Sequence, residues 1–203
     1  LSATKNIKWI AKLGNKTFGS PIVSQGKVFI GTTGVPVSNA TLLCLDEQTG
    51  SELGRFLCRR PQDRGEKYGV CSTPTVEGDR LYFVTPYQEV VCLDLTSWLK
   101  PSAAAGGADS DRHIVWRYDM AEKLQALVDH AASCSVLVHG DFVYVCTGNG
   151  RWKNKTKPFY PLAPSLIVFN KHTGQLVARD DEQIGEQTWR GQWSSPSLAM
   201  VDG

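Results

Sequence analysis

The sequence lacks the residue patterns that mark most catalytic and metal sites. Only four of its 203 residues are histidine, and no two of its six cysteines are adjacent or spaced as Cys-x-x-Cys, the pattern typical of zinc and redox motifs. No Gly-rich phosphate loop and no Ser-His-Asp arrangement can be read from it. We therefore predict no catalytic residue, no metal site and no bound cofactor within these residues.

Strong net charge and long apolar runs are also missing. The formal net charge is +2, so nothing indicates a nucleic acid or another polyanion as partner. No apolar run approaches the roughly 18 residues that are typical of a membrane-spanning helix. We predict no nucleic-acid partner and no membrane-spanning segment.

Short apolar runs and glycine turns recur in a fixed order, and this repetition is the strongest feature of the chain. Each unit has a Ser/Thr-containing apolar run, a turn, a β-branched or aromatic run and a third apolar run. An Asp/Asn-x-x-Thr-Gly turn closes the first and third units. The units begin near Pro21, Pro74, Ser135 and Pro196, at intervals of about 53 to 61 residues. Strand-like runs repeated at one period are typical of β-propellers.

The predicted fold is an all-β propeller of four-stranded blades, with about three and a half blades present. The blades are placed roughly at 15–57, 68–118 and 131–180, with the start of a fourth at 191–203. One short helix is predicted near 119–130, because Asp119 and Glu122 have capping-box spacing and apolar residues follow on one face.

Three and a half blades are fewer than the four or more of a closed propeller, and they would leave unpaired strand edges. Three explanations stay open. The sequence is part of a longer chain, a second polypeptide completes the ring, or two copies close it around a two-fold axis. The predicted partner is therefore a protein or further blades of the same propeller.

The cysteines allow two interpretations. Cys44 and Cys92 occupy equivalent positions in their units and are predicted to be small buried residues. Cys71 and Cys134 both precede an innermost strand, so a disulfide between them stays open.

Histidines and glycosylation sequons add little. Only His130 is expected near the central channel, while His139 and His172 are expected at exposed turns. Asn-x-Thr sequons occur at Asn15, Asn39 and Asn154. Glycosylation, chance and plain turn chemistry all remain open for them.

The repeat resembles that of the pyrroloquinoline-quinone (PQQ)-like β-propellers. Asp-x-x-Thr-Gly-x-x-x-Trp units, preceded by Ser-Pro-x-Val-x-x-Gly-x-Val-Phe, carry the resemblance over essentially the whole chain, most clearly at 6–14, 76–85 and 191–196. The superfamily includes quinoprotein alcohol dehydrogenases and the lipoprotein propeller of the outer-membrane β-barrel assembly machinery. The chain looks most like uncharacterised planctomycete members. The resemblance implies a periplasmic or otherwise extracytoplasmic propeller, and it implies less about activity.

The chain departs from this family at its docking tryptophans. In the family, a tryptophan ends each Asp-x-x-Thr-Gly unit and docks on the neighbouring blade. The equivalent positions here are Trp9, Gly54, Trp116 and Ala178. Two of them lack the large aromatic contact, so we expect inserted loops to pack at Gly54 and Ala178.

The chain also lacks the family's cofactor ligands. Quinoprotein dehydrogenases hold their quinone with a disulfide between adjacent cysteines, a tryptophan floor and a calcium or lanthanide ion. The one dense acidic run here, at 180–182, is interpreted as a solvated turn rather than an ion site. If a quinone is bound, its ligands lie outside this chain, and Gln192 or Trp193 could line the channel.

Two functions are therefore considered. The first is a non-catalytic scaffold for protein interaction or assembly in the bacterial cell envelope. Its predicted binding surface consists of the loops 33–40, 58–68, 99–112 and 151–163, with basic residues at Arg59, Arg60, Arg64, Lys67, Arg151, Lys153, Lys155 and Lys157. The alternative is a fragment of a PQQ-dependent oxidoreductase. Binding of a small ligand, sugar or peptide in the channel is a third possibility.

Overall fold

The chain folds as three four-stranded antiparallel sheets in a computed structural model, which confirms the predicted all-β partial propeller. The structure describes residues 5–33, 40–59, 68–100, 110–127, 134–150, 159–188 and 192–201. Within them the secondary structure is almost entirely strand and turn. Runs of β-branched and aromatic residues form the strands, as their fit to a pleated, half-buried surface requires.

Each sheet is made of four consecutive strands. The first sheet contains β1 (Ile22–Ser24), β2 (Lys27–Thr33), β3 (Ala40–Asp46) and β4 (Glu52–Leu57). The second contains β5 (Thr75–Glu77), β6 (Arg80–Val84), β7 (Glu89–Asp94) and β8 (Ile114–Asp119). The third contains β9 (Leu137–His139), β10 (Phe142–Cys146), β11 (Leu166–Asn170) and β12 (Leu176–Arg179). The blade boundaries given above, which include the connecting segments, stay a prediction.

In the described ranges, four short helices interrupt the strands: α1 (Leu95–Trp98), α2 (Met120–Leu124) and the 3₁₀ turns Ser110–His113 and Ile184–Gln187. α2 begins as predicted, because Asp119 Oδ1 accepts a hydrogen bond from Glu122 N at 2.9 Å. It is shorter than the predicted 119–130, because Gln125 adopts a left-handed conformation with φ of 56° that ends the helix. Residues 128–130 lie outside the described part of the chain.

The second sheet is the centre of the described molecule, because both of its faces are buried. One face packs on the first sheet, where the rings of Phe56 and Phe83 are 5.8 Å apart. The other face packs on the third sheet, where the rings of Tyr118 and Phe169 are 4.8 Å apart. Along the central strands of the second sheet, alternate side chains therefore pack into different cores.

Hydroxyl groups connect successive innermost strands. Ser20 N donates to Thr73 Oγ1 at 3.1 Å, Thr73 N to Ser135 Oγ at 3.1 Å and Ser135 N to Ser195 Oγ at 3.0 Å. The sequence pattern predicts that Ser135 is equivalent to Pro21. The bonds show instead that Ser135 is equivalent to Ser20 and Thr73, so Val136 is the residue equivalent to Pro21. They also place residues 192–201 beside β9, while the predicted fourth blade stays a prediction.

Two tryptophans dock on the following Thr-Gly turn, as the family resemblance implies. Trp9 Nε1 donates to Glu47 O at 2.9 Å, and Trp116 Nε1 donates to Lys171 O at 2.8 Å. Their indoles lie against Gly50 and Gly174, whose φ angles are +72° and +70°. A side chain at either glycine would collide with the indole and strain the backbone, so the turn requires glycine.

The missing tryptophan at Gly54 is replaced from the other side of the interface. The second sheet has helix α1 in place of a Thr-Gly turn, and Trp98 and Leu99 from this insertion cover Gly54. A Cβ at Gly54 would lie 2.7 Å from Leu99 Cδ2. Inserted residues therefore pack against Gly54, as expected from the sequence. Ala178, where the same packing is expected, is exposed.

Candidate functional site

The predicted binding loops do not leave the sheets on one side. We call the end that carries the β1–β2 and β3–β4 turns the turn end, and the opposite end the loop end. The described strands on both sides of 34–39, 60–67 and 151–158 meet these segments at the loop end, whereas α1, which precedes 101–109, lies at the turn end. Residues 34–39, 60–67, 101–109 and 151–158 lie outside the described part, and with them seven of the eight predicted basic residues.

Arg59, the predicted basic residue that the structure describes, takes part in a charge network between the first two sheets. Arg59 Nε lies 3.1 Å from Asp111 Oδ2, whose other oxygen accepts from Arg117 Nη2 at 2.7 Å. Arg117 Nε lies 3.4 Å from Glu89 Oε1. Thr85 Oγ1 donates to Glu89 Oε2 at 3.1 Å. Among the described residues, two guanidinium groups are matched by two carboxylates, so the charges of this network are balanced within it.

A groove of about 560 Å³ opens at the loop end, between α2 and the segment 159–164. α2 forms one wall, and β12 contributes Arg179. The segment is held by main-chain bonds, with Tyr160 N donating to Asn149 O at 2.9 Å and Ala163 N to Tyr160 O at 3.0 Å. The groove thus has walls fixed by backbone hydrogen bonds.

The groove combines apolar side chains with charged ones, in which Lys123 and Arg179 outnumber Glu122. Phe159 and Leu162 are 49% and 69% exposed, which is unusual for side chains of their size. Lys123 Nζ lies 4.6 Å from the centre of the Tyr118 ring, a cation–π contact. Neither Lys123 nor Arg179 has an ion-pair partner among the described residues. The groove can therefore accept an apolar side chain next to a negative charge.

A buried asparagine supports the same end of the third sheet. Residues 148–150 are interpreted from the sequence as a turn, yet Asn149 is only 2% exposed. Its Nδ2 donates to the carbonyls of Gly185 and Thr188, and its Oδ1 has no partner within the described residues. The asparagine joins the 3₁₀ turn at 184–187 to the groove, a role that local sequence pattern does not reveal.

The cysteines are all thiols. Cys44 and Cys92 are fully buried, as predicted, and burial raises the pKa of each thiol to about 12. Cys71 Sγ lies 3.7 Å from the carbonyl oxygens of Tyr68 and Gly69. The considered Cys71–Cys134 disulfide is not formed, and Cys134 contacts Cys146 instead.

The three described histidines do not form a site. His139 is exposed at the end of β9, and His172 Nε2 lies 3.6 Å from Asp141 Oδ1 at an exposed turn. His113 is buried between Ser97 Oγ and Arg112 Nε, at 3.1 and 3.0 Å. His130 lies outside the described residues, as do the sequons at Asn39 and Asn154. Asn15 is exposed, and its glycosylation stays a prediction.

The residues that the structure describes do not fit a quinone site. Asp180 of the acidic run accepts from Ser165 N and Leu166 N, both at 2.5 Å, so it caps β11 rather than facing a ligand. Within the described ranges, no group of three or more His, Cys, Asp or Glu side chains is placed to hold a metal. Trp193 is 53% exposed beside the innermost strands, and Gln192 N donates to Thr147 O at 3.1 Å.

No helix in the described part of the chain has both the length and the apolar character needed to cross a membrane.

Comparison with known proteins identifies the fold. No protein-family model and no curated protein matches the chain. BamB from Moraxella catarrhalis is similar in structure, with a TM-score of 0.53 and 15% identity over 86% of this chain and 41% of that chain. Quinohemoprotein alcohol dehydrogenase ADHIIG from Pseudomonas putida HK5 has a TM-score of 0.54 and 16% identity over 82% and 26%.

A third similar structure is the computationally designed Ika4 protein, with a TM-score of 0.54 and 10% identity over 97% of this chain and 89% of that one. The chain spans about two fifths of the BamB chain and about a quarter of the dehydrogenase. Identities this low show the fold and nothing about activity. The chain therefore has the fold of a β-propeller segment.

Proposed function

We propose that this propeller segment is non-catalytic and binds a protein partner, as an interaction or assembly scaffold of the bacterial cell envelope. The groove at the loop end carries this proposal. Its exposed Phe159 and Leu162 lie beside Lys123 and Arg179, which form no ion pair with any described residue. Apolar side chains exposed in a rigid groove with a polar rim are typical of protein-binding sites.

The partner proposed for the groove is an extended polypeptide segment with an apolar residue next to an acidic one. The apolar residue would lie on Phe159 and Leu162, and the carboxylate between Lys123 and Arg179. Charge pairing of this kind mainly selects the partner and speeds association, while burial of the apolar residue supplies most of the affinity.

A location outside the cytoplasm and an origin among planctomycete proteins are parts of the same proposal. The resemblance to PQQ-like propellers supports a periplasmic or otherwise extracytoplasmic location. The likeness of the repeats to planctomycete sequences supports an origin among those proteins. Neither inference rests on the groove, so evidence against either of them would leave the groove proposal unchanged.

Further blades are proposed as a second partner. Tyr144, Leu166 and Val168 are half-buried on the outer face of the third sheet. They correspond to residues of the first two sheets that the next blade covers. Hydroxyl-radical footprinting of the native protein tests this idea, since protection of Tyr144 supports a further blade and full reactivity contradicts it.

The groove proposal is tested by site-specific photo-cross-linking at position 162, with position 115 as control. Val115 is 42% exposed on β8, away from the groove. We expect one adduct from 162 and none from 115. The purified partner should then bind Leu162→Asp and Arg179→Glu at least about tenfold more weakly than Val115→Asp, a change of about 1.4 kcal/mol. Equal binding by all three variants would contradict the groove as the site.

The alternative function is that of a PQQ-dependent oxidoreductase fragment, and the shared fold supports it. Its cofactor ligands would lie outside this chain. Adding PQQ and calcium to the natural protein and recording the quinone absorption and dye-linked alcohol oxidation distinguishes the two functions. Activity would favour the oxidoreductase, whereas the scaffold proposal expects neither signal.

A further inference from the structure

Cys134 and Cys146 face each other at the loop end of the third sheet. Cys134 precedes β9 and Cys146 ends β10, and the backbone N–H of Cys146 donates to Cys134 Sγ at 3.3 Å. The Cys134 thiol itself donates to Ser135 O at 3.1 Å. Cys134 is only 3% exposed, whereas Cys146 is half-buried. One thiol is therefore enclosed and its neighbour can be reached by a small molecule.

The same two positions in the other sheets show that this proximity comes from the fold. In the second sheet they are Ser72 and Val84, and Ser72 Oγ accepts from Val84 N at 3.1 Å. In the first sheet they are Gly19 and Gly31. Of the three sheets, only the third has cysteine at both positions, Cys134 and Cys146. The pairing of β9 with β10 therefore brings two thiols together.

We propose that Cys134 and Cys146 are a redox-active pair that a low-molecular-weight disulfide oxidises to an intrachain disulfide. The Cys146 thiolate attacks the reagent, whose S–S bond breaks, and the released thiolate takes up the proton that Cys146 lost. Cys134 then loses its proton and attacks the sulfur of Cys146, releasing the second reagent thiol. The protein thiols lose two electrons and the reagent disulfide gains them.

The order of the two steps follows from exposure and acidity. Cys146 is the accessible thiol, and hydrogen bonding with the Cys134 side chain lowers its pKa. The pKa of Cys134 is raised by its bond to Cys146 and by burial, so it attacks second, once the mixed disulfide is in contact with it. Cys44 and Cys92 are fully buried and stay reduced.

The pair lies next to the contacts of residues 192–201. Ser135, which follows Cys134, donates to Ser195 Oγ at 3.0 Å, and Thr147, which follows Cys146, accepts from Gln192 N at 3.1 Å. A disulfide joins the two chain segments that hold 192–201. We expect oxidation to slow chymotrypsin cleavage after Trp193, and unchanged cleavage would contradict this coupling.

The test is oxidation of the purified full chain with oxidised glutathione, followed by thiol counting in denaturant and peptide mapping. We expect loss of two thiols per chain and one linked peptide that contains Cys134 and Cys146. Cys134→Ser should stop at a mixed disulfide on Cys146, and it should fold because serine already occupies this position at Ser72. Cys44→Ala is the matched control and should still lose two thiols.

Three results would overturn the proposal. All six thiols could survive exposure to oxidised glutathione. The bridge could join other cysteines, such as Cys71 and Cys134. Cys146→Ser could take up glutathione as fast as the wild-type chain, which would mean that another thiol attacks first.

Discussion

At the residue scale, the interface between the first two sheets shows how a lost aromatic contact is restored. Gly54 stands where Trp116 stands in the second sheet, and Trp98 fills the space from the opposite side. The replacement is incomplete in one respect. Trp116 donates its indole N–H to Lys171 O, whereas the buried Nε1 of Trp98 has no hydrogen-bond partner among the described residues. A buried donor without a partner lowers stability.

This difference predicts different costs for one chemical change at two tryptophans. Both changes remove indole volume. Trp116→Phe also removes a hydrogen bond, whereas Trp98→Phe removes a buried N–H that has no partner among the described residues. We expect Trp116→Phe to cost about 1–2 kcal/mol more than Trp98→Phe. Urea unfolding of both variants, followed by circular dichroism, measures the difference. Equal costs would indicate that Trp98 Nε1 finds a partner in solution.

The acidity of Cys146 gives a second residue-scale prediction. Its pKa lies below the usual value of a thiol, chiefly because of hydrogen bonding with the Cys134 side chain. In Cys134→Ala this side chain is lost, so the midpoint of Cys146 alkylation against pH should move up. Cys134→Ser keeps a donor and should leave the midpoint low. An unchanged midpoint in Cys134→Ala would show that the bond does not control the acidity.

At the element scale, the same turn is formed by two different side chains. Asp46 Oδ1 accepts from Gln48 N, Thr49 N and Thr49 Oγ1 at 2.8–2.9 Å. Asn170 Oδ1 accepts the equivalent three bonds in the third sheet at 3.0–3.2 Å. Only the carboxylate can titrate, so the two turns should differ in their response to pH.

The expected pH dependence has a definite sign. The hydrogen bond from Thr49 Oγ1, with further bonds from the backbone, holds the pKa of Asp46 below its usual value. The stabilisation is therefore complete above the pKa of the unfolded chain and is lost as the pH falls through the folded pKa. Asp46→Asn should remove this dependence. Thermal unfolding from neutral pH to about pH 3 measures it.

The reciprocal change at Asn170 is the control for this turn. Asn170→Asp should add the same acid-dependent loss of stability in the third sheet. If neither variant changes the pH dependence, the turn bonds do not distinguish the folded from the unfolded chain.

The sequence predicts the repeated elements better than the elements that break the repeat. Strand pairing and the Thr-Gly turns follow from local patterns, since β-branched runs and glycines act within a few residues. Helix α1 is not predicted from the sequence, because the contact that its insertion makes lies across the interface, at Gly54. The groove is missed for the same kind of reason. Its walls come from α2, residues 159–164 and β12, which only the fold brings together.

At the scale of the whole molecule, the described part is a row of three sheets in which each sheet contacts only its neighbours. The second sheet contributes one face to each of the two large cores. In such an arrangement, stability is close to a sum of sheet and interface contributions, so damage at one interface need not spread to the other.

This arrangement predicts where a core substitution loosens the molecule. Phe169 is fully buried between the second and third sheets, and Phe56 is fully buried between the first and second. Each change to alanine should lower the free energy of unfolding by about 3–5 kcal/mol. In hydrogen exchange, Phe169→Ala should speed exchange in β10 and β11 and leave β2 and β3 protected, whereas Phe56→Ala should do the reverse. Uniform loss of protection in both variants would instead mean that the three sheets unfold as one cooperative unit, because the shared second sheet would then transmit the damage from either core to the other.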